Sequence, residues 1–180
     1  VLFRSPVEKT PRQKKLFDQM ARDFIMAIDD QNDVTAANGA AKASKLLQLL
    51  TGAVYDAEKN VHEIEATNKL EALVELIEQL PEHQPAVVFV EFKAIQALLK
   101  QKLEPIFKNV EIINGDTSGE ERSAIVQRVL DCKTKVVIAH PATCALGVDF
   151  TSTNMVVWYG PTYRNELYLQ ALDRIRRLSS

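Results

Sequence analysis

The sequence has little cysteine, little glycine and no apolar run long enough to cross a membrane. Its two cysteines, Cys132 and Cys144, form no CxxC pair, which argues against a disulfide framework and favours a reducing compartment. A membrane helix needs about 20 consecutive apolar residues, and no stretch approaches that length. The amino terminus also lacks the pattern of a signal peptide. We therefore expect a cytoplasmic protein with no membrane partner.

The glycines exclude one common way of binding a nucleoside triphosphate. None of the six glycines begins a Gly-Lys-Ser/Thr phosphate loop. They lie at positions 39, 52, 115, 119, 147 and 160. No Asp-Glu pair follows an apolar strand, where it would hold magnesium. The chain opens at Val1 without a methionine, so we interpret it as a fragment of a longer protein and residues 1–5 as a remnant of processing.

The charge is nearly balanced, with 22 Lys and Arg against 24 Asp and Glu. This balance argues against a uniformly basic nucleic-acid coat, but a local basic track is allowed because phosphate contacts depend on where charge lies. A hydrophobic content of 46% with 26% charged residues is typical of a soluble globular protein. A length of 180 residues suits one domain, or one domain with an appendage.

Hydrophobic periodicity predicts two helices followed by an alternating α/β segment. The helices are expected over residues 11–29 and 35–50, with Thr35 as N-cap and Gly52 at the end, before short extended pieces over 54–64. Further helices are predicted over residues 68–80, 94–103, 118–130 and 165–178, and apolar strands over 87–90, 110–113, 136–139 and 155–158. The predicted helix caps pair Asn68 with Glu71 and Ser118 with Glu121. This alternation predicts a parallel sheet with helices on both faces.

In such a sheet, functional residues gather at the carboxyl ends of the strands. Here those ends lie at residues 91–92, 114–116, 140–150 and 159–161. The third is rich in small residues and contains Gly147, so a backbone or a phosphate can approach closely. An ordinary strand-to-helix connection is the alternative interpretation. His140 fits no metal-ligand spacing with the cysteines and is expected to shape this loop.

The last predicted helix carries a polar stripe opposite an apolar one. Gln170, Arg174 and Arg177 fall at i, i+4 and i+7 on one face. The opposite face, expected to dock, holds Tyr168, Leu172 and Ile175. Paired guanidiniums, which cannot be neutralised, suit a triphosphate whose charge shifts during cleavage. A solvated basic helix end, favoured by the helix dipole, is the other interpretation.

Five blocks in this order resemble the second motor lobe of helicase superfamily two, and most closely the compact Swi/Snf-like translocases of phages and bacteria. The blocks are residues 45–55, 87–92, 112–122, 140–151 and 170–177. The resemblance implies an α/β fold with a RecA-like parallel sheet flanked by helices and preceded by a helical N-terminal extension. It implies a linker region from a missing first lobe over residues 1–62, and a RecA-like helicase C-terminal lobe, truncated at its end, over 63–180.

The resemblance also implies roles for individual residues. Arg174 and Arg177 would be catalytic fingers that reach ATP bound mainly by the other lobe. Gly147, Asp149 and Gln170 would complete the nucleotide-binding side. Contacts to the nucleic-acid backbone would come from Asn114, Gly115, Thr143 and Thr151.

The implied partners are double-stranded DNA, ATP and the first RecA-like lobe of the same polypeptide, which would also supply Mg. The implied location is the nucleoid of a bacterial or phage-infected cell. Because the phosphate loop and the Asp-Glu box are absent, we expect the isolated chain to have negligible ATPase activity.

Two departures from the family pattern keep a second interpretation open. Asp173 stands where many relatives have a small residue, and residues 178–180 replace the expected Gly-Gln. A catalytically inert platform for nucleic acid or protein, derived from such a lobe, is therefore the alternative. A Rossmann-like enzyme such as a methyltransferase is disfavoured, because no glycine-rich turn follows the first strand.

Overall fold

The computed structural model divides the chain into two compact units, Val1–Leu73 and Val74–Ser180. It describes residues 6–29, 36–146, 153, 155–162, 164, 166 and 168–170. The predicted boundary between residues 62 and 63 stays a prediction.

The first unit is helical with one small hairpin. Helices α1 (Pro11–Asp29) and α2 (Ala36–Thr51) precede strands β1 (Ala53–Tyr55) and β2 (Val61–Glu63), which pair antiparallel. Both predicted helices and the short extended pieces are confirmed, whereas the predicted N-cap Thr35 lies outside the described residues. Gly52 ends α2 as expected. Its φ of +104° is one that glycine adopts without strain, and its N–H donates to the Gln48 carbonyl over 3.1 Å.

Side-chain hydrogen bonds tie the helices of this unit together. Thr10 and Gln13 form a reciprocal capping box at the start of α1, each backbone N–H donating to the other's side-chain oxygen over 3.2 Å. The Gln13 Nε2 also donates to the Leu49 carbonyl in α2 over 3.1 Å. Because Gln13 is buried, these bonds satisfy a group that would otherwise be costly to desolvate.

Helix α3 (Thr67–Glu78) begins one residue earlier than the sequence predicts. The prediction that Asn68 caps this helix is wrong. Asn68 lies inside the first turn, and its Nδ2 donates to the Glu8 carbonyl over 3.2 Å. A contact with a segment distant in sequence has therefore replaced the local cap.

The second unit is a four-stranded parallel sheet flanked by helices. Its elements in chain order are β3 (Ala86–Phe89), α4 (Lys93–Leu103), β4 (Val110–Ile113), α5 (Gly119–Leu130), β5 (Val136–Ala139), a 3₁₀ helix (Pro141–Leu146) and β6 (Met155–Trp158). The spatial order is β4-β5-β3-β6, and every neighbouring pair is parallel. The predicted α/β fold with a RecA-like sheet and N-terminal helices is confirmed.

The core of this unit lies where the central strands meet α5. Strands β3 and β5 are buried along their whole lengths, which explains why their sequences are continuous apolar runs. Ile125 and Val129 of α5 pack against this sheet together with Phe89. Ser118 caps α5 as predicted, its hydroxyl accepting from the Glu121 N–H over 3.1 Å.

Candidate nucleotide and nucleic-acid site

The carboxyl ends of the four strands meet at one edge of the sheet. The strand pairing continues one residue past the strands, because Val90 donates to the Ala139 carbonyl, His140 to that of Ile113 and Tyr159 to that of Phe89. This edge is called the strand-end rim below and comprises residues 90–93, 114–116, 140–143 and 159–162. It brings together Asn114, Gly115 and Thr143, the described residues that the sequence predicts to contact nucleic acid, as expected for a parallel sheet.

Asn114 forms a tight turn at the end of β4. Its Nδ2 donates to the Gln96 Oε1 over 2.9 Å, and its Oδ1 accepts from the Asp116 N–H over 2.9 Å. Its own N–H donates to the Thr117 hydroxyl over 3.0 Å. Gly115 is open, since a Cβ atom there would meet nothing within 4 Å. Asn114 thus shapes the turn while the Gly115 backbone stays accessible.

An exposed ion pair lies beside this turn. The Lys93 Nζ is 2.6 Å from both carboxylate oxygens of Asp116. Both side chains are well exposed, so water and salt screen the pair and it contributes little to folding. It does place a cation at the rim, where an anionic ligand could compete with Asp116 for it.

His140 and Thr143 hold the start of the long loop after β5. Thr143 is buried, and its hydroxyl and its N–H donate to the His140 carbonyl over 2.6 and 2.8 Å. The His140 Nδ1 accepts from the Ala142 N–H over 3.1 Å, so the neutral ring carries its proton on Nε2. His140 shapes this loop, as the sequence predicts. The contact of Thr143 with nucleic acid stays a prediction.

The environment of His140 favours its neutral form. Burial lowers the pKa of its imidazole, and the nearby positive charges of Arg164 and Lys93 lower it further, while Glu91 acts in the opposite direction.

The Glu91 Oε1 is itself buried and makes no hydrogen bond within the described part of the chain. An unpaired carboxylate oxygen is costly, so this position would be stabilised by a donor from a ligand or another segment. The sequence predicts Glu91 at a strand end but assigns no role to it.

Aromatic stacking holds the start of the last helix on the sheet. Residues 166 and 168–170 are helical, and the Tyr168 N–H donates to the Arg164 carbonyl over 3.1 Å. The Tyr168 ring packs on Trp158 of β6, and Trp158 packs on Phe89, with centroid distances of 4.9 and 5.1 Å. Tyr168 therefore faces the sheet, whereas Gln170 is exposed to solvent, as the amphipathic pattern predicts for both residues.

The remaining predicted site residues lie outside the described residues. They are Gly147, Asp149, Thr151, Arg174 and Arg177. Their roles stay predictions that rest on the sequence.

Residues 68–179 match the helicase conserved C-terminal domain. The chain belongs to this family. The matched range contains the whole strand-end rim and the four parallel strands, together with the Gln/Arg stripe predicted near the C-terminus. The family match therefore covers the same part of the chain as the parallel sheet.

Two curated proteins with similar sequences are longer than this chain. YwqA of Bacillus subtilis (strain 168), whose name describes an ATP-dependent helicase/translocase, is 23% identical over 181 residues, covering 92% of this chain and 18% of YwqA. Protein p41 of Acyrthosiphon pisum secondary endosymbiont phage 1 is 27% identical over 172 residues, covering 94% of this chain and 34% of p41. The chain therefore spans about a fifth to a third of these relatives.

Solved structures of SWI2/SNF2 ATPases share the fold. The Sulfolobus solfataricus SWI2/SNF2 ATPase core in complex with dsDNA superposes with a TM-score of 0.67 at 18% identity, over 85% of this chain and 33% of that one. The C-terminal domain of a Sulfolobus solfataricus SWI2/SNF2 ATPase superposes with a TM-score of 0.69 at 18% identity, over 85% of this chain and 68% of that one. The chain therefore shares the fold of these domains.

The described part of the chain contains neither a membrane-spanning helix nor a cluster of metal ligands. None of the helices there is both long and apolar enough to cross a bilayer. Within the same residues, no group of three or more His, Cys, Asp or Glu side chains could hold a metal ion.

Proposed function

We propose that this helicase C-terminal domain is the second motor lobe of an ATP-dependent translocase that moves on double-stranded DNA. The observation that carries the proposal is the match of residues 68–179 to the helicase family on a sheet whose four strand ends form one rim. The Sulfolobus solfataricus SWI2/SNF2 ATPase core, which shares this fold, is in complex with dsDNA, and this supports duplex DNA as the nucleic acid.

The proposed role of the lobe in ATP hydrolysis falls to the last helix. Arg174 and Arg177 offset the charge that develops on the γ-phosphate, and Gln170 orders the same face. Support comes from the start of this helix, where Tyr168 packs inward and Gln170 faces outward. A helix continued from this point would present Arg174 and Arg177 near the direction of Gln170.

ATP and Mg²⁺ are held mainly by a first RecA-like lobe of the same polypeptide. This division of labour is proposed because the sequence contains neither a phosphate loop nor an Asp-Glu box. Gly147 and Asp149, in the loop after β5, complete the nucleotide side of this lobe. When bound, ATP supplies the phosphoanhydride bond whose cleavage drives movement.

The strand-end rim supplies contacts to the DNA backbone. Asn114 and Gly115 at the end of β4, with Thr143 and Thr151 in the loop after β5, contact sugar and phosphate. Such contacts position a strand without reading its bases, which a translocating motor requires. The open backbone at Gly115 and the exposed ammonium of Lys93 support this assignment. The corresponding location is with the DNA of a bacterial or phage-infected cell.

The proposal is tested by ATPase assays on the full-length protein with duplex DNA, single-stranded DNA and RNA. Duplex DNA should stimulate turnover most, and the 180-residue chain alone should hydrolyse no measurable ATP. Stimulation by RNA alone would contradict the choice of nucleic acid. A full-length protein that binds duplex DNA without hydrolysing ATP would instead support the inert platform.

A further inference from the structure

A buried glutamine joins the ends of two strands that are not neighbours in the sheet. Gln96 lies on α4 and is completely buried. Its Nε2 donates to the Val90 carbonyl just past β3 over 2.8 Å, and its Oε1 accepts from the Asn114 Nδ2 just past β4 over 2.9 Å. Strand β5 lies between these two strands. Both ends of a side chain that is costly to bury are therefore satisfied.

The Val90 carbonyl fixes the direction of every bond in this chain of contacts. A carbonyl oxygen only accepts, so Gln96 must turn its Nε2 toward Val90 and its Oε1 toward Asn114. Asn114 must then present Nδ2 to Gln96. Its Oδ1 is left facing the Asp116 N–H, which donates to it over 2.9 Å. One buried amide thereby selects one conformation of the turn at residues 114–116.

We propose that Gln96 is a positioning residue, which holds the turn at residues 114–116 so that the Gly115 backbone can approach a nucleic-acid phosphate. The space around Gly115 is open, and Asp116 at the end of the turn also receives Lys93. The choice of nucleic acid as the ligand rests on the proposed function. The orientation of the turn by Gln96 rests instead on the hydrogen bonds described here.

The first test compares Gln96→Met with Gln101→Met in the full chain. Gln96→Met removes both hydrogen bonds at similar volume, whereas Gln101 is exposed on the same helix and is the matched control. Hydrogen exchange of the Asp116 amide should accelerate about fivefold in Gln96→Met, as for losing one hydrogen bond of ordinary net strength. It should not change in Gln101→Met. Unchanged Asp116 exchange in Gln96→Met would overturn the proposal.

A double-mutant cycle then asks whether Gln96 acts on DNA through Asn114. Binding of the full-length protein to duplex DNA should weaken by about three- to tenfold in Gln96→Met and in Asn114→Ala, the effect expected when one phosphate contact is lost. The double variant should bind no more weakly than Asn114→Ala. Fully additive losses of DNA affinity would overturn the proposal, because they would mean that Gln96 does not act through Asn114.

A second variant keeps the test decisive if Gln96→Met does not fold. Gln96→Leu also lacks both hydrogen-bonding groups, and leucine is a good helix former. This variant should also accelerate Asp116 exchange, and exchange equal to that of the unsubstituted chain would overturn the proposal. If the unsubstituted full-length protein fails to bind DNA, the proposed function fails, and the exchange measurement still decides whether Gln96 orients the turn.

Discussion

The ring of Tyr168 packs against the ring of Trp158, with centroids 4.9 Å apart and planes inclined by 56°. Tilted aromatic pairs of this kind contribute about 0.5–1.5 kcal/mol beyond the apolar area they bury. Trp158 ends the edge strand β6, and Tyr168 lies two residues before Gln170. This contact therefore fixes the start of the helix that the sequence predicts to carry Arg174 and Arg177.

Tyr168→Ala should reduce DNA-stimulated ATP turnover by the full-length protein about 10- to 100-fold, because small displacements of catalytic groups are costly. Tyr168→Phe keeps the ring and should retain near-normal turnover. Leu169→Ala is the control, since Leu169 is an exposed neighbour. Equal turnover by Tyr168→Ala and the unsubstituted protein would show that this stacking does not position the arginines.

Lys135 should stabilise the second unit through its ammonium group. The Nζ donates to the carbonyls of Leu80, Pro81 and Gln84 over 3.1, 2.7 and 3.2 Å, linking the start of β5 to the segment after α3. Lys135→Met should lower the free energy of unfolding by about 1–3 kcal/mol, because it deprives these carbonyls of a charged donor. Urea denaturation measures the change.

Lys133→Met provides the comparison for Lys135→Met. Lys133 makes an exposed ion pair with Asp131 over 3.0 Å, and such pairs contribute about 0–1 kcal/mol. The prediction for Lys135 fails if the two substitutions change the free energy of unfolding equally.

Cys132 occupies a backbone conformation that favours glycine. Its φ is 55°, and it follows α5 in a Schellman motif in which its N–H donates to the Val129 carbonyl and that of Lys133 to the Arg128 carbonyl. Cys132→Gly should raise the free energy of unfolding by about 0.5–1 kcal/mol, by relieving this strain. Cys132→Val should lower it, and thermal or urea unfolding should rank the three proteins. A Gly variant less stable than the Cys protein would contradict the explanation.

Asp56 should titrate well below an ordinary aspartate. Hydrogen bonds from His62 and then from Asn60 lower the pKa of its carboxyl from 3.8 to about 2. Because the unfolded carboxyl binds protons more readily, the stabilisation is complete above about pH 4 and is lost as the pH falls toward 2. NMR titration of the carboxyl carbon should give a pKa near 2, rising in His62→Ala. A pKa near 3.8 in the unsubstituted chain would exclude these bonds.

The sheet was predictable because each strand is a short, mostly apolar segment between turn signals. Strands β4, β5 and β6 begin and end where the sequence predicts, and Ser118 caps α5 through a local hydrogen bond that sequence spacing encodes. Asn68 shows the limit of the same reasoning, since its amide bonds to Glu8, 60 residues away. The Thr10–Gln13 capping box also had a readable signal, namely Thr and Gln three residues apart at the start of an amphipathic helix.

The candidate site was less predictable than the fold. Gln96 was missed because a single glutamine among the apolar residues of a helix has the sequence signature of a solvated position, and only the tertiary contacts show its burial. Glu91 was predicted to lie at a strand end, but the burial of its Oε1 depends on tertiary contacts that sequence spacing does not encode. The position of Asn114 and Gly115 at the strand-end rim was predictable because they follow β4, and the carboxyl ends of parallel strands meet at one edge. Their contact with nucleic acid stays a prediction.

The central claim is that Arg174 and Arg177 stabilise the transition state of ATP cleavage. Its most direct test is the turnover number of the full-length protein at saturating ATP and duplex DNA. The variants Arg174→Ala and Arg177→Ala are compared with the control Arg22→Ala, since Arg22 is an exposed residue of α1. The account predicts a fall of about 10³-fold or more in each finger variant, with folding, DNA affinity and the Arg22→Ala turnover near normal. Turnover within about threefold of the unsubstituted protein in both finger variants would contradict it.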